Sequence, residues 1–199
     1  MSRHSPASRT IDTEFLLVAY CNGYFPMADP KTGEIGWFSP DPRAIFELDN
    51  FHIPRSLKIL IKKNLFELRI DTQFEEVMHS CGAREETWIS EDIIQSYLQL
   101  HRAGFAHSVE AWRDGKLAGG LYGVTVGAAF FGESMFSRIR DASKVALAGL
   151  VERLKQQGFE LLDTQWMTPH LKMLGAKEIS REEYLRKLKR ALNKKSSFV

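Results

Sequence analysis

A mixed α+β chain, with a small N-terminal domain packed on a larger sheet domain, is what three features of the sequence predict. His107–Arg113, Lys116–Val126 and Ala128–Glu133 read as consecutive antiparallel strands, with Asp114-Gly115 as a tight hairpin turn between the first two. Ala142–Gln157 then reads as an amphipathic helix, Phe159–Asp163 as a further strand and Arg181–Asn193 as a last helix. Ahead of them, aromatic residues alternate with prolines in Gly23–Pro30 and Gly36–Arg43, which suits a rigid loop that presents ring faces. Three strands, a helix, a strand and a helix follow the core order of a GNAT-like acyltransferase fold, in which strands splay around an acyl-donor cleft. Fold alone assigns no function. The division is placed at residue 53, with 1–53 as the N-terminal domain and 54–199 as the acyltransferase domain.

The remaining elements follow from local signals. Residues 1–11 are expected to be disordered. Thr13–Asn22 forms a helix with Phe15, Leu16, Ala19 and Tyr20 on one face and Gly23 as its stop. Ala44–Leu48 is a short strand. Pro54 occupies the first position of a helix with Leu57, Leu60 and Ile61 inside and Lys58, Lys62 and Lys63 outside. Phe66–Asp71 alternates as a strand. Thr72 and Glu75 make a capping box for a helix that turns Phe74, Val77, Met78 and Cys81 inward, and Ser90 caps the helix running to His101. A short polar helix and a strand close the sheet before the last helix, which buries Tyr184, Leu185, Leu188 and Leu192.

With 199 residues, 44% hydrophobic and 26% charged, the composition is that of an ordinary globular protein. No apolar run approaches the roughly 18–20 residues of a membrane span, and no signal-peptide core follows Met1, so the cytoplasm is expected. Cys21 and Cys81 lack metal-ligand spacing and fall in helical segments, as buried thiols rather than a disulfide. The net charge of +2 hides two basic clusters, one at Arg55, Lys58, Lys62, Lys63 and Arg69 and one from Arg181 to Lys195. Two basic patches suit a polyanionic partner, and solvated lysine faces would have the same composition.

The candidate chemistry sits at strand ends. Gly132-Glu133-Ser134 ends one strand and Asp163-Thr164-Gln165 another, so neighbouring strands would bring Glu133, Asp163 and Gln165 to one crevice. Asp163 and Gln165, two apart, share a sheet face. Asp163 is then expected to anchor the Gln165 amide NH₂ while the Gln165 carbonyl faces an incoming amine, which is positioning more than proton abstraction. Acids that merely cap helices are the plain alternative. A serine hydrolase is disfavoured, because Ser134 and Ser137 lack a G-x-S-x-G elbow. His101 and His107 are poorly spaced for a metal, and no nucleotide fingerprint is present. A coenzyme-A-dependent acetyltransferase is weakened by Arg138–Ser143, a turn without glycine where a pyrophosphate would be wrapped.

Eight collinear blocks resemble the leucyl/phenylalanyl-tRNA–protein transferase family: Phe25-Pro26-Met27, Trp37 to Arg43, His52 to Ser56, Thr87-Trp88-Ile89, His107 to Glu110, Gly119 to Val124, Gly132 to Arg138 and Leu162 to Gln165. The resemblance runs from about Tyr20 to Leu188. It implies a cytoplasmic enzyme, a monomer without cofactor or metal. Such an enzyme moves Leu or Phe, or Met, from aminoacyl-tRNA to the N-terminal Arg or Lys of an acceptor protein, which marks the acceptor for N-end-rule degradation. Relative to longer members, the chain is expected to lack an N-terminal segment and a C-terminal extension.

By the same resemblance, the catalytic pair falls on Asp163 and Gln165, and Glu133 falls where a family acid meets substrate. Trp88 matches one aromatic that holds the 3′-terminal adenosine. The other, often Trp, falls near Met27, which leaves Met27 or Trp37 to complete the clamp. Leu121, Phe130, Leu147 and Leu150 are expected to line the pocket for the amino-acid side chain, with Ser137 nearby. Such an apolar pocket discriminates weakly, since a methylene is worth about 1–3 kcal/mol. Arg55, Lys58, Lys62 and Lys63 are expected to meet the tRNA backbone. Another N-acyltransferase of related fold and a non-catalytic RNA-binding module are the competing readings.

Overall fold

Asp12 opens the first helix, its carboxylate accepting a hydrogen bond of 3.0 Å from the Phe15 N–H. In the computed structural model, which describes residues 10–199, this helix α1 spans Thr13–Cys21. It buries Leu16 and Tyr20 and leaves Phe15 exposed, because the Phe15 ring meets Trp37 edge-on at 5.2 Å instead of entering the core. Most of the segment expected to be disordered lies outside the described residues.

The aromatic and proline-rich segment is more regular than its composition suggests. Phe25–Ala28 (β1) and Ile35–Phe38 (β2) pair as a two-stranded antiparallel hairpin. Its turn is closed by the Asp29 carboxylate, which accepts from the N–H groups of Lys31 and Thr32 at 2.8 Å each. An Asx turn supplies what the prolines cannot.

Seven strands form the main sheet: β3 (Arg43–Phe46), β4 (Glu67–Ile70), β5 (Ala106–Arg113), β6 (Lys116–Val126), β7 (Ala129–Ser137), β8 (Leu161–Gln165) and β9 (Lys177–Ile179). Their order is β4-β5-β6-β7-β8-β3-β9. The strand β3, on the N-terminal side of residue 53, is hydrogen-bonded between β8 and β9. Among the described residues only the β7–β8 pair is parallel, joined through a crossover helix. The helices are α2 (Arg55–Lys62), α3 (Phe74–Gly82), α4 (Glu91–Arg102), the crossover α5 (Ala142–Gln156), α6 (Pro169–Met173) and α7 (Arg181–Leu192).

Three local expectations change. Pro54 caps α2 from outside instead of opening it, and Ile61 is exposed. The Thr72–Glu75 capping box does not form. The buried Glu110 carboxylate takes both the Thr72 hydroxyl and the Gln73 N–H, so an acid of β5 does the capping. In α7, Leu185 is exposed while Tyr184 and Leu188 are buried.

Two apolar cores cover the two sheet faces. One gathers Tyr20, Met78, Tyr97, Tyr122 and Phe131 beneath α1, α3 and α4. The other gathers Leu121, Phe130, Leu147, Leu150 and Leu162 against α5. Successive residues Phe130 and Phe131 supply opposite cores, as strand alternation requires. Close packing depends on Gly123: a Cβ there would lie 2.3 Å from Phe130 Cε1 and 2.3 Å from the Phe131 carbonyl. Gly123→Ala is therefore expected to cost about 1–3 kcal/mol or more through overpacking, read as a lowered urea midpoint. An unchanged midpoint would show that the ring moves aside freely.

Candidate active site

The parallel strands β7 and β8 stay paired only from Ala129↔Leu161 to Phe131↔Asp163. Beyond that, β7 follows β6 as far as Ser137, and β8 follows β3. Glu133, where the strand was expected to end, is thus mid-strand, four residues before the observed end at Ser137. The parting opens a cavity of about 450 Å³ between the strands. Because the gap cuts through the sheet, residues of both cores reach it: Leu121, Leu147, Leu150, Leu162 and Leu171 from one, Tyr122, Met27 and Trp88 from the other.

Glu133 and Gln165 stand on opposite lips. The Gln165 Nε2 donates to Glu133 Oε1 at 2.9 Å. Tyr20 donates to the same oxygen at 2.8 Å, Tyr97 donates to Glu133 Oε2 at 3.3 Å, and the two phenols touch each other. Burial pushes the Glu133 carboxyl up to about 8, against the pull of the phenolic donors and with the help of nearby Asp163. Burial also holds both phenols well above their ordinary value, hence protonated.

Asp163 lies behind this layer, fully buried. Arg43 clamps it bidentately, Nε to Oδ1 at 2.9 Å and Nη2 to Oδ2 at 2.6 Å. Tyr184 donates to Oδ2 at 2.8 Å, and the Gln165 backbone N–H donates to Oδ1 at 2.9 Å. Burial opposes the Arg43 charge, but Asp163 more than offsets it and raises the guanidinium's pKa. The guanidinium also lies 4.9 Å over the Phe25 ring and 4.5 Å over that of Tyr184.

The expected link between Asp163 and Gln165 is therefore corrected. Asp163 holds the Gln165 backbone, and Glu133 holds its amide NH₂. The reason is the left-handed conformation of Gln165, φ +65°, which breaks the alternation of β8. The side chain turns to the cavity while the N–H stays with Asp163. The Gln165 carbonyl Oε1 then has no hydrogen-bond donor among the described residues. Gln165 lines a largely apolar cleft, where an amide oxygen without a donor is suited to receive an N–H of a bound amine.

A family model described as "Leucyl/phenylalanyl-tRNA protein transferase" matches residues 45–189, and one described as its N-terminal domain matches residues 9–41. The chain belongs to this family. Proteins called leucyl/phenylalanyl-tRNA–protein transferase are similar over nearly their whole length. The one from Herpetosiphon aurantiacus is 52% identical, covering 96% of this chain and 100% of its own. The one from Akkermansia muciniphila is 56% identical, covering 90% of this chain and 95% of its own. A solved structure of L-PGS from Bacillus licheniformis overlaps with a TM-score of 0.44 at 14% identity, covering 82% of this chain and 56% of its own. As a member of the transferase family the chain is a tRNA-dependent aminoacyltransferase. Among the described residues no helix is long and apolar enough to cross a membrane.

Of the residues singled out in the sequence, Met27, Trp88, Leu121, Leu147, Leu150, Glu133 and Gln165 line the cavity together. Asp163 supports it from behind. Trp37 is elsewhere, packed on Phe15 and lining a separate hollow with Ile11 and Ile35. In the β1–β2 pairing it opposes Pro26, not Met27. Phe130 is buried in the α5 core, where its ring fills the space that Gly123 leaves open. Ser137 serves α5 instead: its Oγ accepts from the Ser143 N–H at 2.9 Å and bonds the Ser143 hydroxyl at 2.8 Å. Arg55, Lys58, Lys62 and Lys63 are exposed on or beside α2, with no ion pair among the described residues.

Several wall residues went unread in the sequence. Trp166 lines the cavity beside Gln165, partly exposed, and meets Phe25 edge-on at 5.0 Å. The Tyr122 hydroxyl and His170 Nε2 are buried at the cavity without a hydrogen-bond partner among the described residues. Burial, then Lys144, lowers the His170 pKa. Ser134 shares the cavity with His170 but makes no hydrogen bond to it, and His107 is engaged by Asp71 at 2.7 Å. Neither pairing resembles a serine nucleophile with its base.

Proposed function

We propose that the cleft between β7 and β8 holds the aminoacyl end of Leu- or Phe-tRNA and joins its amino acid to the N-terminal Arg or Lys of an acceptor protein. The observation that carries this is Gln165 on the cleft wall, its amide NH₂ held by Glu133, its backbone held by Asp163, and its carbonyl without a donor among the described residues. The leucine or phenylalanine side chain enters among Leu121, Leu147, Leu150 and Leu162, where transfer from water is the main reward. The terminal adenosine lies against Trp88 and Met27, with the Met thioether replacing a second ring.

The acceptor amine forms a C–N bond to the ester carbonyl carbon as the ester C–O bond breaks. The amine proton ends on the departing ribose hydroxyl, so nothing else is consumed. Gln165 accepts an N–H of that amine and turns its lone pair to the carbonyl. Glu133 keeps the Gln165 amide from rotating, and Asp163 keeps its backbone in place. The unpaired cations of α2 suit the tRNA backbone, an attraction that weakens with salt. The acyltransferase-type fold, a monomeric state and a cytoplasmic role in N-end-rule degradation complete the reading. The N-terminal domain of residues 1–53 supplies the aromatic β1–β2 hairpin.

Labelled leucine should move from Leu-tRNA to a peptide starting with Arg and not to one starting with Ala. Equal transfer to both would remove the acceptor rule, and consumption of acetyl-coenzyme A instead would replace the donor. Trp88→Ala is expected to raise the donor KM by about tenfold or more, the loss of one base stack. Trp37→Ala, away from the cleft, should leave it unchanged. The reverse ranking would put the adenosine against Trp37.

A further inference from the structure

A second groove, of about 390 Å³, adjoins the cleft and is lined by Ser80, Arg84, Met135, Ser137 and Arg138. Arg84 and Met135 belong to both. Arg84 is the only Arg or Lys on the cleft wall among the described residues. It is exposed, and one Nη donates at 2.6 Å to the carbonyl of Met135, a residue that lines both cleft and groove, which fixes the guanidinium where they meet. Its other N–H groups have no partner among the described residues. Arg138, by contrast, is committed: it pairs with Glu76, donates to Ser80 Oγ at 2.8 Å and reaches the Leu117 carbonyl. Ser137 is committed to Ser143. Of the acids around Arg84, Glu76 is paired with Arg138, Glu85 and Glu86 follow Arg84 in the chain, and Glu133 lines the cleft that Arg84 shares.

Resting on the transferase reading above, we infer that Arg84 binds the phosphate on the 5′ side of the donor's terminal adenosine and directs the preceding nucleotide into this groove. The loop that carries Trp88 carries Arg84 four residues earlier, so the residue for the base and the cation for its phosphate come from one segment. The Trp88 carbonyl accepts from the Ala28 N–H at 3.1 Å, which ties that segment to the strand bearing Met27. A guanidinium with free, forked N–H groups suits a phosphodiester, and one held by a backbone carbonyl loses less freedom on binding. Glu76 neutralises Arg138 in the groove, which leaves Arg84 as the charge a phosphate would meet.

The test compares 3′-O-leucyl-adenosine with the same compound bearing a 5′-phosphate, as donors to an Arg-starting peptide. The wild type is expected to use the phosphorylated donor with a kcat/KM higher by about tenfold, a typical value for a charge-assisted contact. Arg84→Ala should erase that preference and leave transfer from the unphosphorylated donor within about twofold. Persistence of the preference in Arg84→Ala would overturn the assignment. Equal loss with both donors would also overturn it, because Arg84 would then act only by holding Met135. Failure of the wild type with both donors and with Leu-tRNA would instead overturn the transferase reading, and the assignment with it.

Discussion

Asp163→Ala is expected to lower stability by about 3–5 kcal/mol and to cut transfer by about 100-fold or more. The substitution strands Arg43, a guanidinium only 1% exposed, without its counter-charge. It also frees the Gln165 N–H, so the left-handed turn that aims the Gln165 carbonyl loses its anchor. The two effects can be separated. Replacing both members of the buried pair by apolar residues, as in Arg43→Met with Asp163→Leu, should recover most of the stability, because no lone charge remains. Transfer should stay low, because the Gln165 backbone is still unheld. Urea unfolding and kcat/KM on the three proteins decide this. Recovery of activity along with stability would show that Asp163 contributes only by neutralising Arg43.

The second large effect is on pH dependence. Burial raises the Glu133 carboxyl from its ordinary range to about 8, so the native state keeps its proton where the unfolded chain, near 4.5, has lost it. Between those values the native protein binds more protons than the unfolded one, so stability falls as pH rises. The loss begins near pH 4.5, levels off above about 8, and amounts to something on the order of 5 kcal/mol over the window. Glu133→Gln keeps an acceptor for Tyr20 and for the Gln165 amide but cannot ionise. The gap in unfolding free energy between Glu133→Gln and wild type should therefore widen in favour of the variant from pH 5 to pH 8. A constant gap would mean that Glu133 is already ionised at pH 5.

Much of this was legible in the residues. Asp114-Gly115 marks its hairpin because both positions take positive φ, 51° and 71°, and the alternation of Phe130 and Phe131 announces strands buried on two faces. Glu133 and the leucines of α5 fall in the cleft because strand and helix spacing puts them on the right elements, whereas Trp88, on a loop, is reached only through the family resemblance. What stayed hidden depends on contacts distant in sequence. Arg43 ends a block of prolines and aromatics and enters a buried strand, which is a signal that it needs an acid. Nothing local says that the acid is Asp163, 120 residues on. Thr72 and Glu75 fit a capping box, and a buried acid from another strand outcompeted it. Trp37 looked like a partner for Trp88 by type, yet strand pairing turned it to the far side of the hairpin. The path of Gln165 was misread because strand alternation assumes negative φ throughout.

The parting of β7 and β8 leaves the two apolar cores facing one cleft, bridged across its lips by Gln165 and Glu133. An aminoacyl group seated there would touch both, joining the two layers across the sheet. Donor binding and folding then draw on the same free energy. A tightly bound, unreactive donor analogue should raise the unfolding temperature and bring the two layers into a single, sharper transition. The substrate would in this sense be a transient part of the hydrophobic interior, and each product release would reopen the seam.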